Sequence, residues 1–487
     1  MRIRKKSVQK IVAEFKRTRQ EVIGNGFKPI KKLLSNKVIM KICEDSNYCY
    51  RRRIMPPVVT LLHMIGAALS RDGSFQSSWH NNGQVGNSDM LSKARERLPE
   101  QVWAGVDRWI IGEIDREFGE EAKWRGHRVI GVDGTCMSMP DEEELVEAFG
   151  RINPKGIKSR FPVLRGVLAF TLQTQIPISH EIGDNRTSEQ ALFRRMIKDM
   201  RAGDLIIADR HFAGANLYAE YKRHGLEFIT RMHQRLEIDR LIVIKRYNDN
   251  DLIVQLDVHK KYRKQDLELP EHVVVRLIKS TALIRGKKSE FWLMTSLIDV
   301  KRYPCEDIKE LYKKRWKVET LIEELKIWLS SDVLRSKTAP GIRKEIYARI
   351  VACQLIHWLM LKAAKKHKKD AGKISTLTAT RLINYYSICM GTAPKNKIEY
   401  LYEELLDKIA QAVTPDRPNR NEPRMKRRDL KHYPILHTTR AQWRAEQESL
   451  NALSTHNFQQ MCPRTIEHDP KPDKPYPNKQ KALNTQP

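Results

Sequence analysis

The order of apolar and polar positions changes character along the chain. Val58 to Leu69 and Gln101 to Ile114 are apolar stretches of helical texture, and Ser92-Lys-Ala-Arg-Glu-Arg-Leu-Pro reads as a short basic helix closed by Pro99. From Arg128 the texture alters. Arg128-Val-Ile-Gly-Val-Asp-Gly-Thr reads as a short apolar strand ending in an acid and a turn glycine. Val163 to Gln173 reads as a second strand and Ser188 to Met200 as a helix. Gly203 then leads into Asp204-Leu-Ile-Ile-Ala-Asp-Arg, a buried-type strand that again ends in an acid. This alternation is α/β texture. Residues 234–290 turn β-rich, with Leu241-Ile-Val-Ile, Leu252-Ile-Val-Gln-Leu and Val273-Val-Val-Arg-Leu between polar turns, and read as an inserted sheet. Phe291-Trp-Leu-Met-Thr-Ser-Leu predicts a further strand, and a helical block follows from about Glu306 to about Ala412. Residues 413–487 hold 10 of the 22 prolines and few apolar clusters, so a Pro-rich, disordered tail is expected there. No fixed-period repeat is present.

Composition narrows the function. The chain has 487 residues, 40% of them apolar, enough to build sizeable cores. Its net charge of +30 is self-repelling unless a polyanion is present, which points first to nucleic acid. The bland alternative is a ribosome-associated or merely soluble basic protein. Residues 1–32 carry eleven Lys/Arg against two Glu, and residues 1–125 read as a helical, basic domain that binds DNA, or else as solvated helix faces. Arg424-Met-Lys-Arg-Arg in the tail is a basic run with the same two readings. The longest apolar stretch, Ile350 to Ala364, contains Gln354 and His357 and is too short to cross a bilayer comfortably, so no membrane role is expected. The basic start lacks an apolar signal core. Seven scattered cysteines with no C-x-x-C pair support neither a zinc ribbon nor a disulfide framework, and a cytoplasmic, reduced protein is the simplest expectation.

The chemistry starts with Asp133 and Asp209, each at the end of an apolar strand, where α/β sheets form their sites. Either acid alone is more often a turn former or helix cap. Two carboxylates brought together repel unless a divalent cation compensates, and hard oxygen ligands suit Mg²⁺ or Mn²⁺. The helical block adds Tyr312, Arg315, Glu319 and Lys326. On one helix they fall at roughly 0°, 300°, 340° and 320°, a narrow stripe beside the apolar face of Val318, Leu321, Ile322, Leu325 and Leu329. A solvated helix with an Arg315–Glu319 pair explains that stripe equally well. Periodicity alone does not choose between Glu319 and Glu323.

These residues carry a family resemblance. Tyr312-x-x-Arg315-x-x-x-Glu319-x-x-x-x-x-x-Lys326 resembles the Y-R-E-K signature of bacterial insertion-sequence transposases of the IS-four family. Asp133-Gly-Thr is similar to that family's first catalytic acid, and Gly203-Asp-Leu-Ile-Ile-Ala-Asp209-Arg-His-Phe to its second. Ser159-Arg-Phe-Pro-x-x-Arg165 resembles a stretch between them, and the likeness covers about residues 125–365. The resemblance implies a ribonuclease-H-like α/β core, a mixed five-stranded sheet with helices, interrupted by a β-rich insertion. It selects Glu319 and implies that Asp133, Asp209 and Glu319 bind two metal ions. It further implies DNA contacts by Tyr312, Arg315, Lys326, Arg210 and Arg165. Trp292, 20 residues before Tyr312, resembles the ring on which some members stack a flipped base when they form hairpin ends. The strand containing Trp292 also explains it as a core residue.

The expected organisation is a helical N-terminal domain (1–125), a first core segment (126–233), the insertion (234–290), a second core segment with the Glu helix (291–412) and the basic tail (413–487). The expected function is a cut-and-paste DNA transposase that binds terminal inverted repeats, acts as a homodimer on paired ends, and works in the bacterial cytoplasm in association with the nucleoid. The alternatives are a metal-dependent nuclease without strand transfer and an inactive DNA-binding descendant.

Overall fold

The computed structural model describes residues 28–50, 55–69, 76, 78, 89–151, 161–284, 287–328, 333–414 and 442–446. Expectations for the basic start and for nearly all of the tail lie outside the described residues.

The N-terminal helices are α1 (Asn36–Asp45), α2 (Pro57–Leu69), α3 (Asp89–Arg97) and α4 (Glu100–Phe118). Ser35 caps α1 by accepting from the Val38 amide, one of the orphan donors of a helix start. Pro99 ends α3 as expected, with Arg95 and Arg97 in its last turn, favourably placed for the helix dipole.

One mixed sheet follows: β1 (Val129–Ser138), β2 (Val163–Thr171), β3 (Pro177–Gly183), β4 (Leu205–Ala208), β5 (Glu227–Arg231), β6 (Ile242–Asn248), β7 (Asp251–Asp257), β8 (His272–Ile284) and β9 (Lys287–Thr295). The strand order is β3-β2-β1-β4-β5-β9-β8-β7-β6. β1, β4 and β5 run parallel, while β2 is antiparallel to β1 and β9 to β5. Helices α5 (Glu189–Met196) and α6 (Ala215–Arg223) connect the core strands.

Three findings differ from the sequence reading. The β-rich segment is not a separate sheet: Ile229, Thr230 and Arg231 of β5 pair with Thr295, Met294 and Leu293 of β9, so it extends the core sheet. Strands β3 and β5 escaped the pattern, being short and carrying His180, Glu181 and Glu227 among their apolar residues. Gly134 is not a turn residue, because β1 continues through it to Ser138 against β2. A Cβ on Gly134 would lie 2.4 Å from the Glu189 carboxylate, the movable end of a flexible side chain.

The C-terminal helices are α7 (Cys305–Lys313), α8 (Trp316–Trp328), α9 (Ala339–Lys366), α10 (Thr376–Thr392) and α11 (Ile398–Gln411). Among the described residues α9 alone is long and apolar enough to cross a membrane, but its most apolar window is 89% buried inside the protein. It is apolar all round because it packs against α2, α4 and α11 at the centre of one continuous core running from Ile30 to Ala410.

Gln354 in α9 donates to Asp107 of α4 (2.6 Å) and to the Pro177 carbonyl of β3 (2.9 Å). Burial raises the Asp107 carboxyl to about 7, despite the Gln354 hydrogen bond. A folded pKa above the unfolded value of about 3.9 means that the native state holds the proton more tightly. That stabilisation is complete below about pH 4 and is lost as the pH rises through 7. Asp107→Asn mimics the protonated acid, so it is expected to melt a few degrees above wild type at pH 8 and to converge with it near pH 4. Thermal melts at the two pH values check this, and an equal gap at both would remove the assignment.

Candidate active site

The sheet register brings the first two acids together. Gly131 of β1 lies opposite Ile207 of β4 in a parallel pair. Two residues further along each strand come Asp133 and Asp209, on the same face and on strands about 4.8 Å apart. Asp209 follows the last residue of β4 and caps a tight turn, accepting from the His211 amide (2.7 Å) and meeting His211 Nδ1 at 3.0 Å.

The third acid arrives on α8, which packs on the same face. A Cβ on Gly131 would lie 2.2 Å from Val318 Cγ2 and 2.7 Å from Leu172 Cδ2, so glycine is needed for this helix to approach β1. Glu319, next to Val318, is thereby held beside Asp133. Gly131→Ala is expected to push α8 outward, destabilising the fold by about 1–3 kcal/mol. Adding Val318→Ala should restore much of that loss, as thermal melts will reveal.

Arg315 stands between the acids. Its guanidinium is 2.8 Å from Glu319 Oε1 and 4.0 Å from Asp133 Oδ2, it is 8% exposed, and it lies over the Trp316 ring at 4.9 Å. Burial raises the Asp133 carboxyl to about 6. The Gly134 amide and Arg315 oppose that rise, and the charges of Asp209 and Glu319 add to it. Asp133 therefore feels the charges of the other two acids. Among the described residues, however, no three acid, His or Cys side chains stand close enough to cage a metal. The donor chemistry fits a hard divalent cation, since the acids are oxygen donors whose mutual repulsion a cation would relieve.

The signature does not lie on one continuous helix. Hydrogen bonds Arg315 N to Tyr312 O (2.9 Å), Lys317 N to Lys314 O (3.0 Å) and Val318 N to Arg315 O (2.9 Å) tighten the chain between α7 and α8. These are i→i+3 bonds, which rotate successive residues further than an α-helix does. Tyr312 is consequently not on an exposed stripe. It is 8% exposed, its hydroxyl reaches the Ala208 carbonyl at 3.5 Å, and burial raises its phenol to about 12. Lys326 lies two turns beyond Glu319 on α8, half-buried.

Two expected DNA contacts face elsewhere. Arg165 pairs with Cys136 across β1 and β2, while Leu168 pairs with Asp133. Alternation puts Arg165 on the opposite sheet face, where it donates to the Thr187 carbonyl. Trp292 likewise faces away. Phe291, its neighbour, meets Tyr312 on the acids' face with ring centroids 6.3 Å apart, whereas Trp292 is half-buried against the core on the other. Arg210 is at the correct edge and donates to Gln234.

The structure adds residues that the sequence reading missed. Arg231 ends β5 one strand beyond Asp209 and stacks on Phe291 at 4.7 Å. Its strand went unrecognised, so nothing marked it. Trp316 is 62% exposed, unusual for a tryptophan, and follows Arg315 within the motif itself.

Comparison with known proteins supplies the remaining observation. Residues 124–355 match the family model described as "Transposase DDE domain". Over that stretch, just under half of its length, the chain resembles DDE transposases. It is 24% identical to the transposase InsG for insertion sequence element IS4 of Escherichia coli (strain K12), over 81% of this chain and 90% of that protein. Among solved structures it is similar to the piggyBac transposase synaptic complex with hairpin DNA, with a TM-score of 0.40 and 9% identity over 81% of this chain and 86% of that one. The sequence matches thus make the chain similar to DNA transposases.

Proposed function

We propose that the chain is a DNA transposase that cuts DNA at the terminal inverted repeats of its insertion sequence and joins the freed 3′-hydroxyls to target DNA, with Asp133, Asp209 and Glu319 as its metal ligands. The observation that carries this reading is the convergence of three acids, distant in sequence, on one edge of the sheet with Arg315 among them. On this reading β3-β2-β1-β4-β5 is a ribonuclease-H-like core and β6 to β9 belong to its insertion.

Two Mg²⁺ or Mn²⁺ ions on these acids would supply Lewis-acid charge at the scissile phosphate and an activated water or 3′-hydroxyl. The chain's own groups do the positioning. Arg315 forks onto phosphate oxygens and Lys326 offers a point charge. Arg210 and Arg231, at the same edge, extend the cationic track. Tyr312 holds α7 against the end of β4. Arg165 and Trp292 face away, so Trp316 is the better stacking ring for a base flipped at a hairpin end, where stacking contributes about 1–3 kcal/mol. Two ends must be paired, which calls for a homodimer, and the DNA substrate places the protein in the cytoplasm at the nucleoid.

The test is an incubation of the full chain with a duplex carrying the inverted repeat, a target plasmid and Mg²⁺. Joined products support transposition, whereas cut ends that never join favour the nuclease alternative. On a denaturing gel of the same reaction, only open ends at every time point would count against the hairpin step.

A further inference from the structure

Arg315 occupies a position that its phosphate-binding role alone does not explain. A phosphate-binding arginine would be expected to project toward solvent. This one is turned inward, 8% exposed, with one guanidinium nitrogen 2.8 Å from Glu319 and another 4.0 Å from Asp133. The tightened turn between α7 and α8 sets it at the corner from which both acids are within reach. The Trp316 ring covers the guanidinium at 4.9 Å. Two of the three acids thus already have a cationic partner, and a +1 charge stands where a divalent ion would have to bind.

We propose that Arg315 is a counter-ion that competes with metal for Asp133 and Glu319, and that DNA relieves the competition by drawing the guanidinium onto a phosphate. The proposal rests on those two acids being metal ligands, as argued above. It follows that metal and DNA bind cooperatively. By linkage, whatever factor DNA adds to metal affinity, metal adds to DNA affinity. The exchange is balanced: the arginine leaves carboxylate oxygens for phosphate oxygens, and the cation takes its place. Free of DNA, the protein would hold metal weakly and its cutting machinery would be incomplete.

The experiment titrates the full chain with Mn²⁺ alone, following the free ion by electron paramagnetic resonance. No DNA cleavage is involved. Arg315→Gln removes the competing charge and is expected to bind Mn²⁺ roughly tenfold more tightly than wild type, because a unit charge about 4 Å away acts through a partly screened medium. Arg315→Lys keeps the charge and should stay within about twofold of wild type, which separates electrostatics from any packing defect shared by the two variants. Repeating the titration with end duplex should tighten Mn²⁺ binding much more for wild type than for Arg315→Gln. Arg315→Gln binding no more tightly than wild type would overturn the proposal. Glu319→Gln and Asp133→Asn serve as the second arm. If they leave Mn²⁺ binding unchanged, the assignment of the ligands has failed and the competition falls with it; if they weaken it while Arg315→Gln does not tighten it, the competition alone has failed.

Discussion

Asp133→Asn, Asp209→Asn and Glu319→Gln are each expected to abolish metal-dependent cleavage, a loss of about 10³-fold or more, while binding to the inverted-repeat duplex stays within a few-fold of wild type. The amide keeps the volume of the acid and removes the charge that holds a cation. Because the three side chains would act as one unit, a double variant should be little worse than a single one. DNA binding should survive, since a lost negative charge near the backbone reduces repulsion of phosphate. Gel-shift and cleavage assays on the same preparations check both halves. Cleavage by Asp133→Asn equal to wild type would sink the assignment, and loss of DNA binding in step with cleavage would point instead to misfolding.

The second large effect lies away from the acids. Arg276 of β8 and Asp251 of β7 form a two-pronged ion pair, both bonds 2.7 Å, with side chains only 1% and 6% exposed. Arg276 also donates to the Tyr303 carbonyl (2.7 Å) and to Cys305 Sγ (3.1 Å), the first residue of α7. The β-rich strands are therefore bolted to the start of the helix that carries Tyr312. Arg276→Met strands a buried carboxylate and is expected to lower stability by about 3–5 kcal/mol. The double variant Arg276→Met/Asp251→Leu should recover most of that loss, since no unpaired charge remains. Denaturant unfolding of the three proteins tests this. A double variant as unstable as the single one would show that the hydrogen bonds to Tyr303 and Cys305, not the stranded charge, dominate.

Much of the site was legible in the sequence for a physical reason. β4 is an uninterrupted apolar run because helices cover both faces of a parallel core strand, and the residue after it, Asp209, stands at the sheet edge where sites form. Asp133 was equally visible, although β1 does not stop there: β2 goes on pairing with it to Ser138, and pairing beyond an acid leaves no local mark. Helical periodicity failed between Tyr312 and Glu319, because it assumes one uniform rotation per residue and the chain tightens in that interval. It also gave no sheet face for Trp292 or Arg165. Face is a matter of register, which depends on partners distant in sequence. β3 and β5 were missed because their polar positions hide a short strand that only its neighbours make stable. Arg276 is buried in β8, held by Asp251, the Tyr303 carbonyl and Cys305. A buried arginine cannot be told from an exposed one until the strand carrying its partner is in place.

The central claim is that the acids gathered at the edge of β1 and β4 make this chain a metal-dependent DNA-cutting enzyme. The most direct measurement incubates purified wild-type protein with a labelled duplex that spans the inverted repeat and its flank, with Mg²⁺ in one reaction and EDTA in the other. The cut position is mapped to the nucleotide. The account predicts cutting at the repeat boundary with Mg²⁺ and none with EDTA. Specific binding of the duplex without cutting under either condition, by protein whose melt shows it folded, would contradict it and favour a DNA-binding descendant that has lost its chemistry.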